Sequence, residues 1–523
     1  MPTEIEPVGN THSTTIEPSR PFRRYQDVVD EAPGSPWAKK TVLTFDGGGV
    51  RGYSSLLVLK SLMLKIKEIE TEDTDGGICS SSDYSWMGTY PSKESASNES
   101  TLNDFLPCHY FDYIAGTSTG GLSAIMLGRL RMTVDEALEQ YESFGKSVFG
   151  KARRWHERSI IAFPRAKYSS KKVMSAFQNI IQKSMGKDGH TLLPYEAEME
   201  LFQYNENRTR TMVFSLSIDN HEGIAMVYLW RSYDHEHDKN APNNTYEPLN
   251  PSPAHTVPIW QIARATSAAP TYFEPIKIGT KEHFDGGLVA NNPATHVLNE
   301  VRQLHGYSPK LFISIGCGLK NRGNGSRPTG GPELQTYNDH VVDSNKRKMR
   351  GVKKWPHLVL GFTRFMTDTE GQHGVQGWNN ECIKLQIEHR WRLNVEGDLS
   401  TIALDDWDPP SSGSSTLDKI RQETDDYLSQ DIIKEKIAVM ARELVKIRRE
   451  RAETELWESF ALDVAYHCPK SSCQPRRGYK TRDEFRKHVM FSCEHDDMNE
   501  GDLEEYLNRC RKILTKAKRD ERF

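Results

Sequence analysis

The sequence predicts an α/β protein, and three features of the 523-residue chain carry that prediction. Two apolar runs, over residues 41–45 and 111–115, each end in a glycine-rich turn that leads into a run with helical character. Farther along, the segments that begin at Thr211 and Ala225 have the composition of paired strands about a turn. Strands that alternate with helices are typical of an α/β domain.

The first 36 residues are rich in Thr, Ser, Pro and Glu, and we expect residues 1–36 to form a disordered arm. A large α/β domain is predicted over residues 37–400, with polar insertions at about 71–104 and 319–355. The other elements predicted in this domain are helices over 134–150 and 170–184 and strands that begin at Lys310 and Ile383.

Ser118 follows the second apolar run, in the sequence Gly116-Thr117-Ser118-Thr119-Gly120. This is the Gly-x-Ser-x-Gly pattern of a nucleophile elbow, in which a strand turns abruptly into a helix and presents the serine hydroxyl. Glycines on either side avoid clashes with the neighbouring backbone, and the N-terminus of the following helix lies beneath the serine. An ordinary strand-to-helix turn uses the same residue types, so the pattern alone is moderately specific.

A glycine-rich turn that begins at Asp46 follows the first strand and precedes a helix from Ser54. The backbone amides of consecutive glycines can bind a phosphate or a transient oxyanion. Gly47, Gly49 and Gly52 also have the spacing of a dinucleotide-binding loop, which needs a second strand ending in an acidic residue about 20 residues later. We rank that alternative low because the sequence at this distance continues the helix.

Asp285 begins an Asp-Gly-Gly turn at the end of a short strand. A carboxylate at a strand end can reach the tip of another strand, although an isolated Asp-Gly-Gly is usually just a turn. His109 and His283 are the histidines nearest to these motifs in sequence, and we interpret both as packing residues.

The loop Asp-Gly-Gly-Gly-x-Arg-Gly, the Gly-x-Ser-x-Gly turn and the Asp-Gly-Gly turn, in this order, resemble the patatin-like phospholipases, as does the segment at 263–275. The resemblance spans residues 42–318, continues to about residue 394, and implies a three-layer α/β/α domain with a mixed central sheet. It implies a Ser118–Asp285 catalytic dyad that needs no metal or other cofactor. The residues implied to hold the oxyanion are Gly47, Gly48, Gly49 and Thr119, and those implied to support the motifs are Asp46, Arg51, Gly52, Gly116 and Gly120. Arg51 either braces the loop, which we favour, or meets a lipid phosphate.

The charge balance and the hydropathy of the chain exclude some classes of function. The chain has 68 basic and 72 acidic residues, and its net charge of −4 argues against a protein that coats nucleic acid. No apolar run is long enough to span a bilayer, and the N-terminus lacks a signal region. We therefore predict a cytoplasmic location and no sequence-specific nucleic acid partner. The resemblance implies a lipid or phospholipid substrate and peripheral contact at membranes or lipid droplets.

Residues 401–460 are interpreted as a linker and a long charged helix that packs back on the domain, and residues 501–523 as a charged C-terminal helix. The apolar stripe predicted on the long helix consists of Ile432, Ile433, Ile437, Met440 and Leu444. A dimeric coiled coil is the weaker alternative because the heptads do not persist.

Residues 461–500 resemble a C2H2-type zinc finger with a cysteine as its last ligand. The predicted zinc ligands are Cys468, Cys473, His488 and Cys493, and Tyr479 and Phe485 would form a small core. The gap between Cys473 and His488 is fourteen residues rather than about twelve, and His495 competes for the fourth place. A structural zinc and a protein-binding tail are expected; a metal-free hairpin is the alternative.

The function predicted from the sequence is lipid acyl hydrolysis, by a phospholipase A or a related lipid esterase. One rival is a catalytically silent lipid-binding scaffold whose tail binds a partner, and the intact Ser118 and Asp285 argue against it. The other is a DNA-binding regulator, which the single finger and the acidic charge balance make less favourable.

Overall fold

The structure is a computed structural model, and it describes residues 34–72, 78–83, 100–149, 166–186, 191–204, 207–219, 225–235, 249–250, 253–320, 370, 375–407, 415–470, 478–479, 481–491 and 499–513. Nearly all of the predicted disordered arm lies outside these residues. So does most of the two predicted insertions, at 71–104 and 319–355.

An eight-stranded sheet forms the centre of the molecule, in the order β5-β6-β3-β2-β1-β7-β9, with β4 paired to the other edge of β3. The strands of the described residues are β1 (Thr41–Phe45), β2 (Tyr113–Thr117), β3 (Arg210–Asp219), β4 (Ala225–Arg231), β5 (Ile276–Ile278), β6 (Lys281–Asp285), β7 (Leu311–Ile315), β8 (Leu319–Lys320), β9 (His389–Leu393), β10 (Glu396–Gly397), β11 (Val464–Tyr466) and β12 (Arg511–Ile513). Strands β3, β2, β1, β7 and β9 are parallel, whereas β4 and β6 are antiparallel to β3. The predicted mixed sheet is therefore confirmed.

Helices cover both faces of this sheet. The α-helices of the described residues are α1 (Gly52–Glu72), α2 (Thr119–Ala124), α3 (Val134–Phe149), α4 (Ser170–Ser184), α5 (Pro194–Met199), α6 (Ile259–Thr266), α7 (Gly287–Ala290), α8 (Ala294–His305), α9 (Val375–Lys384), α10 (Thr416–Ser429), α11 (Asp431–Ala452), α12 (Leu456–Ala461), α13 (Arg482–Phe491) and α14 (Glu500–Arg509). The last two, α13 and α14, belong to a tail cluster apart from the sheet. On β1, Leu43 and Phe45 belong to the core beneath α1 and α3, whereas Val42 belongs to the core beneath α8 and α9. This alternation of buried residues produces three layers, α/β/α.

Strand β1 has its predicted bounds, but two other predicted strands were misplaced. The strand predicted over 111–115 lies two residues later, at Tyr113–Thr117, so that it ends directly before Ser118. The strand predicted from Ile383 begins only at His389, because Ile383 and Lys384 end helix α9. Trp378 and Cys382, one helical turn apart, are buried against the sheet, so packing of a helical face overrides the local alternation.

The long C-terminal helix packs on the domain as predicted, but it is broken and its stripe is narrower. Two helices, α10 and α11, meet at Gln430, and the buried face of α11 joins the same core as α1. Ile432, which the prediction placed in the stripe, is 64% exposed. The predicted helix over 501–523 is also wrong in its extent: α14 ends at Arg509, and Arg511–Ile513 pairs with Val464–Tyr466 as a strand.

Candidate active site

The register of the sheet places the ends of β2 and β6 next to each other. One edge of β3 pairs with both strands: Phe214 lies opposite Thr117 of β2, and Ser215 lies opposite Asp285 of β6. Because β2 runs parallel and β6 antiparallel to β3, the C-terminal ends of the two strands meet. The polypeptide leaves the sheet at this point after each strand. Ser118 is the first residue after β2 and Asp285 the last of β6, so the sheet itself brings them together.

Ser118 is in a strained backbone conformation, with φ 55° and ψ −126°, between β2 and α2. Its Oγ donates a hydrogen bond to Asp285 Oδ2 over 2.7 Å. Its backbone amide donates to Thr266 Oγ1 over 2.9 Å, and that hydroxyl donates in turn to the Phe214 carbonyl over 2.6 Å. Thr266 therefore fixes the turn, a role that the sequence did not predict although the residue lies in the segment 263–275.

The carboxyl group of Asp285 is almost fully buried, being 1% exposed. Burial raises its pKa to about 7, while hydrogen bonds from the Gly287 amide to Oδ1, over 2.7 Å, and from Ser118 oppose the rise. A carboxylate with a pKa near neutrality can both accept and release a proton at physiological pH.

The glycine turn after β1 is arranged differently from the prediction. The Gly47 amide donates to the Asn291 carbonyl over 3.0 Å, so it is not available to an oxyanion. The Gly48 amide donates to Thr119 Oγ1 over 3.3 Å. Among the described residues, no acceptor is found for the Gly49 amide or for the Thr119 amide in the first turn of α2, and both residues line a cavity with Ser118 and Asp285. Two of the four predicted oxyanion residues thus have amides open to that cavity.

The glycines of the serine turn are required by close approach of the backbone. A Cβ on Gly116 would overlap the Gly120 carbonyl, and a Cβ on Gly120 would overlap the carbonyls of Phe45 and Asp46. The serine turn and the glycine loop can therefore pack together only without these side chains. Gly52 lies similarly close to the Tyr141 hydroxyl.

Asp46 and Arg51 each hold the glycine loop from one side. Arg51 is buried and donates to the Gly48 carbonyl over 3.3 Å and to the Ser400 carbonyl over 3.1 Å, which fits bracing and leaves it turned away from a lipid phosphate. Asp46 accepts two hydrogen bonds from Arg392, over 3.1 and 2.5 Å. Burial raises the pKa of Asp46 to about 6, and the Arg392 guanidinium opposes that rise. Sequence reasoning missed Arg392, which lies far from every motif.

Asn291 is a second residue that the sequence analysis did not single out. Its carbonyl accepts the Gly47 amide, and its side chain lies against Gly47, whose other neighbour is Ser118 Cβ. Both polar side-chain atoms are buried without a hydrogen-bond partner in the described part of the chain. The signal for it was the Asn-Asn-Pro that follows the Asp-Gly-Gly turn.

Both motif-adjacent histidines are packing residues, as predicted. His283 packs edge-on against Tyr228 and at a tilt against Trp230, and it contacts Ser215 Oγ; burial lowers its pKa to about 3. His109 is buried between Ser81 and Arg131, which donates to its Nε2 over 2.9 Å. Burial and the nearby arginines lower the pKa of His109, so both rings are neutral.

The cavity above Ser118 has a volume of about 40 Å³, room for little more than one water molecule. The lining residues that carry polar groups toward it are Gly49, Ser118, Thr119, Ser267, Asp285 and Asp405. Its apolar side is formed by Leu122, Phe144, Phe149, Ala269, Tyr272, Phe273 and Leu404. An acyl chain can enter only if these apolar side chains move.

The predicted zinc site lies only partly within the described residues. Cys473 and Cys493, and the competitor His495, are outside them. Cys468 Sγ lies 3.8 Å from the Tyr506 hydroxyl, and His488 stacks on Tyr479 with ring centroids 4.7 Å apart. Within the described residues no group of three or more His, Cys, Asp or Glu side chains could hold a metal ion, so the zinc site remains a prediction. No described helix is long and apolar enough to cross a membrane.

Comparison with known proteins bears on the part of the chain that holds this site. Residues 43–298 match the family model of patatin-like phospholipase. Calcium-independent phospholipase A2-gamma of Homo sapiens is 26% identical over 284 residues, which cover 53% of this chain and 28% of the relative. Phospholipase A I of Arabidopsis thaliana is 25% identical over 326 residues, 55% of this chain and 21% of the relative.

Patatin-like protein 1 of Oryza sativa subsp. indica is 24% identical over 291 residues, 52% of this chain and 54% of the relative. The matched region thus spans between a fifth and about half of these relatives. The solved structure of VipD from Legionella pneumophila aligns over 78% of this chain and 67% of its own at 11% identity, with a TM-score of 0.29 that is too low to inform the fold. The family model and the three relatives together show that residues 43–298 of this chain are similar to the patatin-like phospholipases.

Proposed function

We propose that the protein is a lipid acyl hydrolase that cleaves a carboxylic ester through an acyl-enzyme on Ser118. The hydrogen bond of 2.7 Å between Ser118 Oγ and Asp285 Oδ2, at the edge of a cavity with two open amides, is the observation that carries the proposal. The relatives are named as phospholipases, which supports a phospholipid or related lipid ester as the substrate class.

In the first half-reaction Ser118 Oγ attacks the ester carbonyl carbon while its proton passes to Asp285. The negative charge that develops on the carbonyl oxygen would be held by the amides of Gly49 and Thr119. The ester C–O bond then breaks, and the alcohol leaves with the proton from Asp285. Water attacks the acyl-serine, its proton again passing to Asp285, and the fatty acid is released as Ser118 recovers its proton.

The test uses an active-site probe and a matched serine variant. A fluorophosphonate should label wild type and the Ser267→Ala variant but not Ser118→Ala. Ser267 lines the same cavity, but its hydroxyl donates to the Ala263 carbonyl over 2.7 Å rather than to a carboxylate. Hydrolysis of a short-chain nitrophenyl ester should fall by about 10³-fold or more in Ser118→Ala, since the covalent route is lost.

A silent lipid-binding scaffold, the second candidate, predicts a different outcome. Wild type would then bind lipid vesicles but show neither labelling nor turnover, and Ser118→Ala would behave like wild type in every assay. Labelling of Ser118→Ala to the same degree as wild type would assign the nucleophile to another residue.

A further inference from the structure

A second cavity, of about 320 Å³, opens between helices α3 and α4. Phe144 lines both this cavity and the cavity of Ser118, so the two share a wall one side chain thick. We call it the α3–α4 groove. The charged residues that line it are all basic: Lys171, Lys172 and Lys183. The remaining polar lining consists of three serines, one asparagine and one glutamine.

Within the described residues, the three groove lysines form no ion pairs. No carboxylate in the described part of the chain lies within salt-bridge distance of their ammonium groups. Two lysines elsewhere on the domain are paired: Lys60 lies 2.8 Å from Asp135, and Lys167 lies 2.6 Å from Asp405. The groove therefore concentrates uncompensated positive charge.

Two of these lysines also occupy the N-terminal turn of a helix, a position that is unfavourable for a positive charge. Helix α4 begins at Ser170, so Lys171 and Lys172 occupy its first turn, which contains no acidic residue. The N-terminus of a helix carries partial positive charge and open amides, which favour anions over cations. A position that breaks a local rule in this way is typical of a site that binds a ligand.

Gln140 provides an independent indication of a ligand. Its side chain is 2% exposed and lines the groove, yet within the described residues its amide has no hydrogen-bond partner. Its polar atoms are not among the fully buried unpartnered atoms of the described residues, so the amide faces the groove and is free to bind a group that enters it. Its NH₂ can donate to an anionic oxygen, as can the serine hydroxyls around it.

We propose that the α3–α4 groove binds the phosphate of an anionic phospholipid head group in a membrane surface, and so holds the protein where Ser118 can reach lipid esters. The three lysines supply the charge, and Gln140 supplies a fixed donor. A phospholipid joins a charged head group to an apolar body, which matches a basic groove that adjoins an apolar-walled cavity. The proposal rests on the lipid hydrolase function for its purpose, but its test does not need turnover.

The test is co-sedimentation of the full chain with phosphatidylcholine vesicles, with and without phosphatidylserine. Wild type should bind the anionic vesicles more tightly, and salt should weaken that binding. The triple variant Lys171→Gln/Lys172→Gln/Lys183→Gln should bind them on the order of 100-fold more weakly, because each lysine near an anionic surface contributes roughly fivefold. Gln140→Leu should weaken binding by roughly tenfold through loss of the buried donor.

The control is Lys310→Gln/Lys384→Gln/Lys446→Gln, which removes the same charge from three exposed lysines outside the groove. It should bind like wild type. An equal loss of vesicle binding in both triple variants would show that positive charge anywhere on the surface attracts the vesicles, and would overturn the site. Binding of Gln140→Leu at the wild-type level would overturn it as well. Melting temperatures check that each variant is folded. Hydrolysis of a soluble ester should be unchanged in all of them, and its absence in wild type would reject the hydrolase without deciding the groove.

Discussion

Ser118 and Asp285 are 167 residues apart in the chain, and each is positioned by a different local feature. The serine depends on a strained turn whose amide is held by Thr266. The aspartate depends on the end of β6 and on the Gly287 amide that binds its other oxygen. Because the carboxyl group is buried with few donors around it, its proton affinity is raised, which suits a general base.

The raised pKa of Asp285 predicts opposite effects of pH on activity and on stability. Ester hydrolysis should increase as pH rises through about 7, because the base must be ionised. Stability should change the other way. The folded state holds this proton more tightly than the unfolded chain, whose pKa is about 3.8, so the stabilisation is fully present below that value and is lost as pH rises through about 7.

The variant Asp285→Asn tests both effects. It should lower kcat/KM by about 10²- to 10⁴-fold, since a general base contributes that much. The asparagine side-chain oxygen can still accept from the Gly287 amide, and its NH₂ group can donate to the Ser118 hydroxyl. Unlike the aspartate, this side chain carries no charge that folding would bury. Urea unfolding should therefore show Asp285→Asn to be more stable than wild type at pH 8.5, by at most about 4 kcal/mol at about 1.4 kcal/mol per pKa unit, with a smaller difference at pH 5. A difference that does not depend on pH would contradict the raised pKa.

At the scale of elements, the glycine loop depends on a segment far along the chain. The Val50 amide donates to the Leu404 carbonyl over 2.8 Å, and Arg51 donates to the Ser400 carbonyl. Gly49 has φ 58° and lies so close to Leu404 that any Cβ would overlap its carbonyl group. The open amide of Gly49 is thus fixed by residues that follow the family match by about a hundred positions.

Gly49→Ala and Gly279→Ala form a matched pair that isolates this contact. Both glycines have φ near 60°, but the space around the Gly279 position is open. Gly279→Ala should cost about 1–2 kcal/mol of stability, the penalty of a left-handed alanine, and leave ester hydrolysis unchanged. Gly49→Ala should cost more and lower kcat/KM sharply, as measured by urea unfolding and steady-state kinetics. Equal behaviour of the two variants would mean that the contact with Leu404 does not matter.

The tail segment around His488 is predicted to bind a metal ion. Tyr466, Phe485 and Leu507 form a small cluster separate from the main core, with Tyr479 packed against it. We predict one zinc ion per chain, bound by Cys468, Cys473, His488 and Cys493. Elemental analysis of the full chain should find it, and the quadruple Cys/His→Ser variant should lose it while keeping ester hydrolysis. A zinc content near zero in wild type would reject the site.

At the scale of the whole molecule, helices α10 and α11 complete the domain that holds the candidate active site. Met440 and Leu444 of α11 are fully buried in the core that contains α1. Arg451 of the same helix donates to Asp112 over 2.8 Å, and Asp112 also accepts from the backbone amide of Thr41 at the start of β1. The family match ends at residue 298, but the folded unit does not.

Two truncations test this dependence. A chain that ends at residue 430 lacks α11 and would expose the core beneath it, so we expect it to aggregate or to show no cooperative thermal unfolding. A chain that ends at residue 463 keeps α11 and α12 and loses only the separate tail cluster, so it should fold and hydrolyse a soluble ester as wild type does. Loss of activity in the second truncation, with a normal melting temperature, would show that the tail contributes to the active site.

The sequence by itself determined the elements around the motifs, because their signals are local. β1, helices α3 and α4, the turn at Ser118 and the turn at Asp285 all follow from periodicity and from glycine at places where the backbone crowds. The tertiary structure decided which groups meet. Four such contacts join residues distant in sequence. β2 and β6 lie end to end on β3, and the Gly47 amide donates to the Asn291 carbonyl. Arg392 donates to Asp46, and Leu404 contacts Gly49. A local pattern does not encode such contacts, because they depend on strand order and on how the layers pack.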